Sequence, residues 1–171
     1  MPARSGNGAA AGPVVVCYDG SKGAIAAIDV VAELLAGANV VILTVWKEIV
    51  EAILAVSLGP APPITDLAEV DERQRRAATV TARDGAKLAR QAGLRADPLV
   101  VEGKGPVWET IEEVAEDLDA RLIACGASRA GVKSALLDTV PTALIHRASR
   151  PVLVVPSREA AEERRREALE D

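Results

Sequence analysis

The residues best placed to do chemistry gather at two strand-like runs. Val14-Val15-Val16-Cys17-Tyr18 stops at Asp19-Gly20-Ser21, and Leu122-Ile123-Ala124-Cys125 breaks at Gly126 into a polar turn that leads to Asp138-Thr139 and a helix. A strand, a glycine turn and a helix N-terminus in that order aim backbone N–H groups and a helix dipole at one point, which is how α/β folds hold phosphate. Asp19 can accept a ligand hydrogen bond, or it can form the turn and helix cap with Ser21; the two roles compete for the same oxygens. Asp138 is read as the N-cap of the helix that follows it, its carboxylate occupying the seat a phosphate would take. A carboxylate about 5 Å from a phosphate charge, at an effective dielectric near 20, costs about 3 kcal/mol, roughly a hundredfold in affinity. Lys133 or Arg129 offsets part of that cost, and Thr139 offers a hydroxyl.

No constellation for catalysis accompanies these groups. The chain shows no Ser-His-Asp set, no cluster with metal-ligand spacing and no P-loop lysine after its glycines, so binding rather than turnover is expected. His146 is the single histidine and falls in the last turn of its helix, where the dipole favours it; no metal site is expected. Receiver domains also carry an aspartate at a strand end, but they need an acidic pair and a lysine after the fifth strand, and Pro156 occupies that region here.

Composition narrows the partners. Of 171 residues 49% are hydrophobic, but they are overwhelmingly Ala, Val, Leu and Ile, with no Phe and only Trp46, Trp108 and Tyr18 as aromatics. Such side chains suit close packing of helices on a sheet and leave few rings on which bases could stack. With net charge -5 and no basic stripe, nucleic acid is excluded as a partner. Residues 1–12 are small and polar, read as a disordered segment without the apolar stretch of a secretory signal. No apolar run reaches the roughly 20 residues of a membrane span, so a cytoplasmic location is expected.

The elements that must position these groups alternate strictly. After the first strand a helix runs to about Leu35; Asn39 to Val45 forms the second strand. Ile49 to Leu58 reads as a short apolar segment, either a lid, an intersubunit surface or a core-covering helix, ending at the loop Gly59-Pro60-Ala61-Pro62-Pro63. A long charged helix starts near Asp66, with Leu67, Val70, Ala77 and Leu88 near one face and Gly93 as its stop. Pro98 to Val101 is the third strand, and Pro106 fits the first turn of a helix carrying Val107, Ile111 and Val114. The fourth strand, Leu122 to Cys125, precedes a helix from about Thr139 to Arg147 and a fifth strand, Pro151 to Val155. Continuously apolar strands alternating with helices mean a parallel sheet covered on both faces. The Glu/Arg-rich tail, 157–171, is either a solvated helix or disordered.

Four segments in the right order resemble the universal stress protein family: VVVCYDGS, VVEGKGPVWETI, LIACGAS and HRASRPVLVVP, spanning about Pro13 to Pro156. The resemblance implies one domain over 13–156, a doubly wound five-stranded parallel sheet of order 3-2-1-4-5, like that of adenine-nucleotide alpha hydrolases, and a ligand crevice at the switch point between the first and fourth strands. Cys17 and Cys125 then lie near the floor of that crevice, read as buried, reduced packing groups, while Trp46 and Trp108 either border it or pack in the core.

Family members that bind ATP carry a glycine, two residues, a second glycine, nine residues and then Gly-Ser or Gly-Thr. Gly126 supplies the first glycine; the turn is one residue short, the second glycine is missing, and Asp138-Thr139 replaces the final pair. Two readings follow. In one, a homodimer paired through strand 151–155 acts in stress physiology through protein partners without binding ATP tightly. In the other, Asp19, Val45, Cys125, Gly126, Thr139 and Val140 hold ATP or AMP despite the shortened loop. A hydrolase or transferase on the same fold is the third and least supported reading.

Overall fold

The computed structural model describes residues 12–48, 67–127 and 139–170. The N-terminal segment, the apolar stretch from Ile49, its proline-rich loop and the turn that carries Arg129, Lys133 and Asp138 lie outside the described residues. Five strands and five helices are described: β1 (Val14–Cys17), α1 (Lys22–Leu34), β2 (Asn39–Trp46), α2 (Leu67–Gln91), β3 (Arg95–Glu102), α3 (Val107–Asp117), β4 (Leu122–Gly126), α4 (Val140–Arg147), β5 (Val152–Val155) and α5 (Arg158–Glu170).

All the strand pairs are parallel and the sheet order is β3-β2-β1-β4-β5. Side chains alternate between two cores because successive strand residues face opposite ways. Val14 and Val16 pack with α1 and α2 on one face, whereas Val15, Ile123 and Cys125 pack with Ile111 and Val114 of α3 and Leu144 of α4 on the other. This explains the unbroken apolar runs of β1 and β4: each strand is covered on both sides. β3 is longer than expected, beginning at Arg95 and pairing Pro98 with Ile42. A proline inside this strand is tolerated because β3 is an edge, where one side of the backbone needs no ladder partner.

The apolar face expected for α2 is not the one that is buried. Ala77 is exposed, and Leu88 and Val80 are 36% and 57% exposed. The buried stripe is instead Ala78, Ala82, Ala86 and Ala89, with Gly85 buried among them. The reason is distance: a Cβ on Gly85 would stand 2.6 Å from Tyr18 Cδ1 and 2.9 Å from Ile42 Cγ2, so the helix lies too close to the sheet for large side chains. Gly93, at φ +90, ends the turn after α2 in a conformation that side chains resist.

Pro106 is the N-cap of α3 rather than part of its first turn, with extended ψ of 134. Its fixed φ suits either place, so sequence alone leaves the boundary open by a residue. The tail from Arg158 is helical, joined to α1 by exposed ion pairs, Lys22–Glu159 and Arg158–Asp29.

Candidate functional site

The C-terminal ends of β1, β2 and β4 and the N-terminal turns of α1, α3 and α4 surround a cleft of about 540 Å³. Its position is the switch point, where β1 has a neighbour reached by crossing to each side of the sheet. All six residues expected to hold a ligand are on its wall: Asp19, Val45, Cys125, Gly126, Thr139 and Val140.

Asp19 and Ser21 divide the work that the sequence left undecided. Ser21 caps α1, its Oγ accepting from the Ala24 N–H at 3.2 Å. Asp19 instead accepts the Ser21 N–H through Oδ1 at 2.9 Å, which fixes its exposed carboxylate at the cleft's rim. Holding a carboxylate in one orientation before a ligand arrives lowers the entropy cost of using it.

Gly126 forms the close approach between β4 and α1. A Cβ on Gly126 would lie 2.3 Å from the carbonyl carbon of Gly23 and 2.5 Å from Ala24 N. The backbone of the first βα turn therefore sits against the backbone of β4, which brings Lys22, Gly23 and Ala24 to the cleft. The glycine that the sequence assigns to phosphate contact also serves this packing.

The N-cap of α4 is Thr139, with no side-chain hydrogen bond to the helix; its Oγ1 lies 2.9 Å from Thr142 Oγ1. The cap expected at Asp138 is thus taken by the next residue, because Val140 already has helical geometry. Pro141 follows in the first turn and also faces the cleft. Lacking an N–H, it leaves this helix end with one donor fewer for an anion.

The floor is apolar and holds both thiols. Cys125 is 3% exposed, and burial pushes its thiol from its ordinary 9.0 to about 11. Cys17, half-buried, is pushed up further, by burial first and then by Cys125 and the Asp19 carboxylate. Both cysteines are free, and their neutral thiols are poor nucleophiles at neutral pH.

Several wall residues were not foreseen. Tyr18, Thr44, Val107, Ile111 and Ser157 all line the cleft. Thr44 donates from Oγ1 to the Tyr18 carbonyl at 2.8 Å, tying β2 to the end of β1. Ser157, 6% exposed, accepts from Ala160 N at 3.2 Å and so caps α5. The available signal was position: each of these residues is at a strand's C-terminal end, within the residues just after it, or on a helix's first two turns. Trp46 and Trp108 do not line the cleft. Trp108 packs on the α3 side of the sheet with Arg147 over its ring at 4.9 Å, an arrangement that stabilises both without facing a ligand. Among the described residues no group of three or more His, Cys, Asp or Glu could hold a metal ion, and no helix is long and apolar enough to cross a membrane.

The sequence profile of the universal stress protein family matches residues 11–156. The chain belongs to that family. Solved universal stress proteins share its fold. One from Burkholderia pseudomallei is 24% identical with a TM-score of 0.65, the match covering 87% of this chain and 98% of that one. A universal stress protein from Archaeoglobus fulgidus, solved in complex with dAMP, is 22% identical with a TM-score of 0.55, covering 84% of this chain and 96% of the other. A family protein from Arabidopsis thaliana, solved with AMP bound, is 15% identical with a TM-score of 0.57, over 89% of this chain and 94% of that chain. No curated protein matches the chain.

Proposed function

We propose that this universal stress protein works by binding, as a cytoplasmic homodimer, and that its cleft takes adenosine or AMP in preference to ATP. The observation that carries this reading is the polarity of the cleft. Its floor is made of Leu43, Val45, Ile111 and Cys125, with the Asp19 carboxylate at the rim, a setting for a flat, weakly charged heterocycle and a ribose hydroxyl. The volume of about 540 Å³ is in the range of small-molecule sites. The relatives solved with dAMP and AMP support an adenine ligand of one phosphate.

The polyphosphate end has less to offer. Lys22 is the cation among the described lining residues, and its Nζ already pairs with Glu159 at 2.5 Å. Pro141 removes a donor from the α4 terminus, and Asp138 adds a negative charge to the sequence next to Thr139. Each further phosphate of ATP would meet these features. No group of three or more metal-ligating side chains accompanies the cleft among the described residues, which favours binding over metal-assisted hydrolysis.

Calorimetric titration of the full chain with adenosine, AMP and ATP, magnesium present, tests the proposal. Adenosine and AMP are expected to bind at least tenfold tighter than ATP, and ATP no tighter than about 100 μM, about -5.5 kcal/mol. Copurified ATP, micromolar ATP affinity, or no heat from any of the three would overturn it.

A further inference from the structure

The β1–β4 ladder places two thiols side by side. Val16 and Ala124 are its last registered pair, so Cys17 and Cys125 occupy the next rung of two adjacent parallel strands. Adjacent strands are about 4.8 Å apart, and a disulfide bridges Cα atoms roughly 4.4–6.8 Å apart. Alternation sends both side chains to the same face, where they belong to one packed cluster with Val15 and Ile123. Both also line the cleft, which gives a small molecule a route to them.

We propose that Cys17 and Cys125 form a reversible dithiol–disulfide site on the cleft floor, oxidised by a small uncharged peroxide that enters through the cleft. The site is independent of the nucleotide reading. One of the two sulfurs attacks one peroxide oxygen; the O–O bond breaks, the other oxygen leaves as water, and that cysteine carries a sulfenic acid. The second sulfur then attacks the first, displacing the hydroxyl, which takes the second thiol's proton and leaves as the second water. The two thiols lose two electrons and two protons in all, and hydrogen peroxide becomes two molecules of water.

The surroundings favour this product over the alternatives two thiols have. Burial disfavours negative charge on either sulfur, and the nearby Asp19 carboxylate adds to this at Cys17. A soft metal held by two thiolates would bring that charge to the floor, whereas a disulfide is neutral. The same effect makes oxidation slow, so the pair answers sustained peroxide rather than a brief pulse. Neighbouring parallel strands hold Cβ atoms wider apart than a relaxed disulfide does, and such bonds are readily reduced again.

The test uses the reduced full chain, native, with excess hydrogen peroxide and no nucleotide. After quenching, denaturing and alkylating, most of the protein is expected to have lost the mass of two hydrogens and to take up no alkyl group. The non-reduced digest should contain one linked peptide pair holding Cys17 and Cys125, and dithiothreitol should release it. Cys17→Ser and Cys125→Ser should each abolish the link; if either variant fails to fold, the wild-type peptide map decides alone. Two thiols still open to alkylation at a peroxide dose that oxidises both in urea would overturn the proposal. So would sulfinic acids without the link, or a bond joining two chains.

Discussion

Gly23 and Gly126 stand backbone to backbone: a methyl group on either would meet main-chain atoms of the opposite segment, at 2.9 Å from Ala127 O for Gly23 and 2.3 Å from Gly23 C for Gly126. Main-chain atoms cannot swing aside as a side-chain tip can, so relief requires α1 and β4 to move apart. Gly126→Ala should therefore cost about 3 kcal/mol. Gly23→Ala, with the longer contact and a gain in helix propensity of roughly 1 kcal/mol, should cost less. Urea midpoints of the two variants check the order; an unchanged midpoint for Gly126→Ala would refute the close approach.

The rim carboxylate gives a prediction about affinity without stability. Asp19→Asn keeps an oxygen for the Ser21 N–H but removes the charge, while Asp19→Ala removes both. Adenosine affinity should fall about tenfold in the alanine variant and less in the asparagine variant, the loss of one ligand hydrogen bond being about 1–2 kcal/mol. Calorimetry on both, with melting temperatures alongside, separates ligand contact from turn stability. Equal affinity for all three proteins would remove Asp19 from the site.

Asp138→Gly should strengthen ATP binding by up to about a hundredfold while changing adenosine binding little, since the removed charge acts only on phosphate. Parallel titrations of the variant with both ligands supply the comparison. An equal gain for adenosine would mean that the substitution reshapes the cleft instead.

The thiols predict a loss of stability in alkali. Cys125 loses its proton near 9.0 when unfolded and at about 11 when folded, so between those values the unfolded state binds fewer protons. Stability is fully present below about pH 9 and falls as pH rises toward 11, by a little over 1 kcal/mol per pH unit for one thiol. Cys125→Ala should flatten this slope. Denaturant unfolding at pH 7 and pH 10 measures it, and identical slopes in the two proteins would contradict the buried-thiol reading.

β5 ends the sheet, next to β4 alone, and carries Val152, Leu153, Val154 and Val155. Pairing with its twin about a two-fold axis would cover an edge that otherwise invites aggregation. Pro151 precedes the strand and gives its carbonyl to the Ile123 N–H at 3.0 Å, so it takes part in the ladder as an acceptor only. Lysine at Val152 or Val154 should give monomers or aggregates. Light scattering that finds the unmodified protein monomeric at tens of micromolar would end the dimer proposal.

The parallel sheet was legible because apolar runs, glycine turns and helix starts alternate in one order, while its strand order and the cleft's address came from the resemblance to the universal stress protein family, whose switch point places the crevice. Asp19, Val45, Cys125, Gly126, Thr139 and Val140 were found through the family's pattern and meet in one cleft. What stayed hidden depended on distance rather than type. The alanine stripe of α2 could not be chosen over Val80 and Leu88 without knowing how near the helix lies to Tyr18 and Ile42. Thr44 and Ser157 gave no chemical signal, since each becomes a wall only through where its strand stops. Trp46 and Trp108 stayed undecided between crevice and packing for the converse reason: a place near a strand end or a helix start does not fix the direction of a side chain.

Tyr18 lines the cleft at the end of β1 while its ring packs into the α1/α2 core against Gly85, whose missing side chain leaves the room the ring fills. The ring is thereby backed by the main chain of a helix of 25 residues, and no soft side chain lies between them to give way. The strand end that carries Asp19 to the cleft is therefore pinned from behind, so the position of that wall is set by packing on the far side of the sheet.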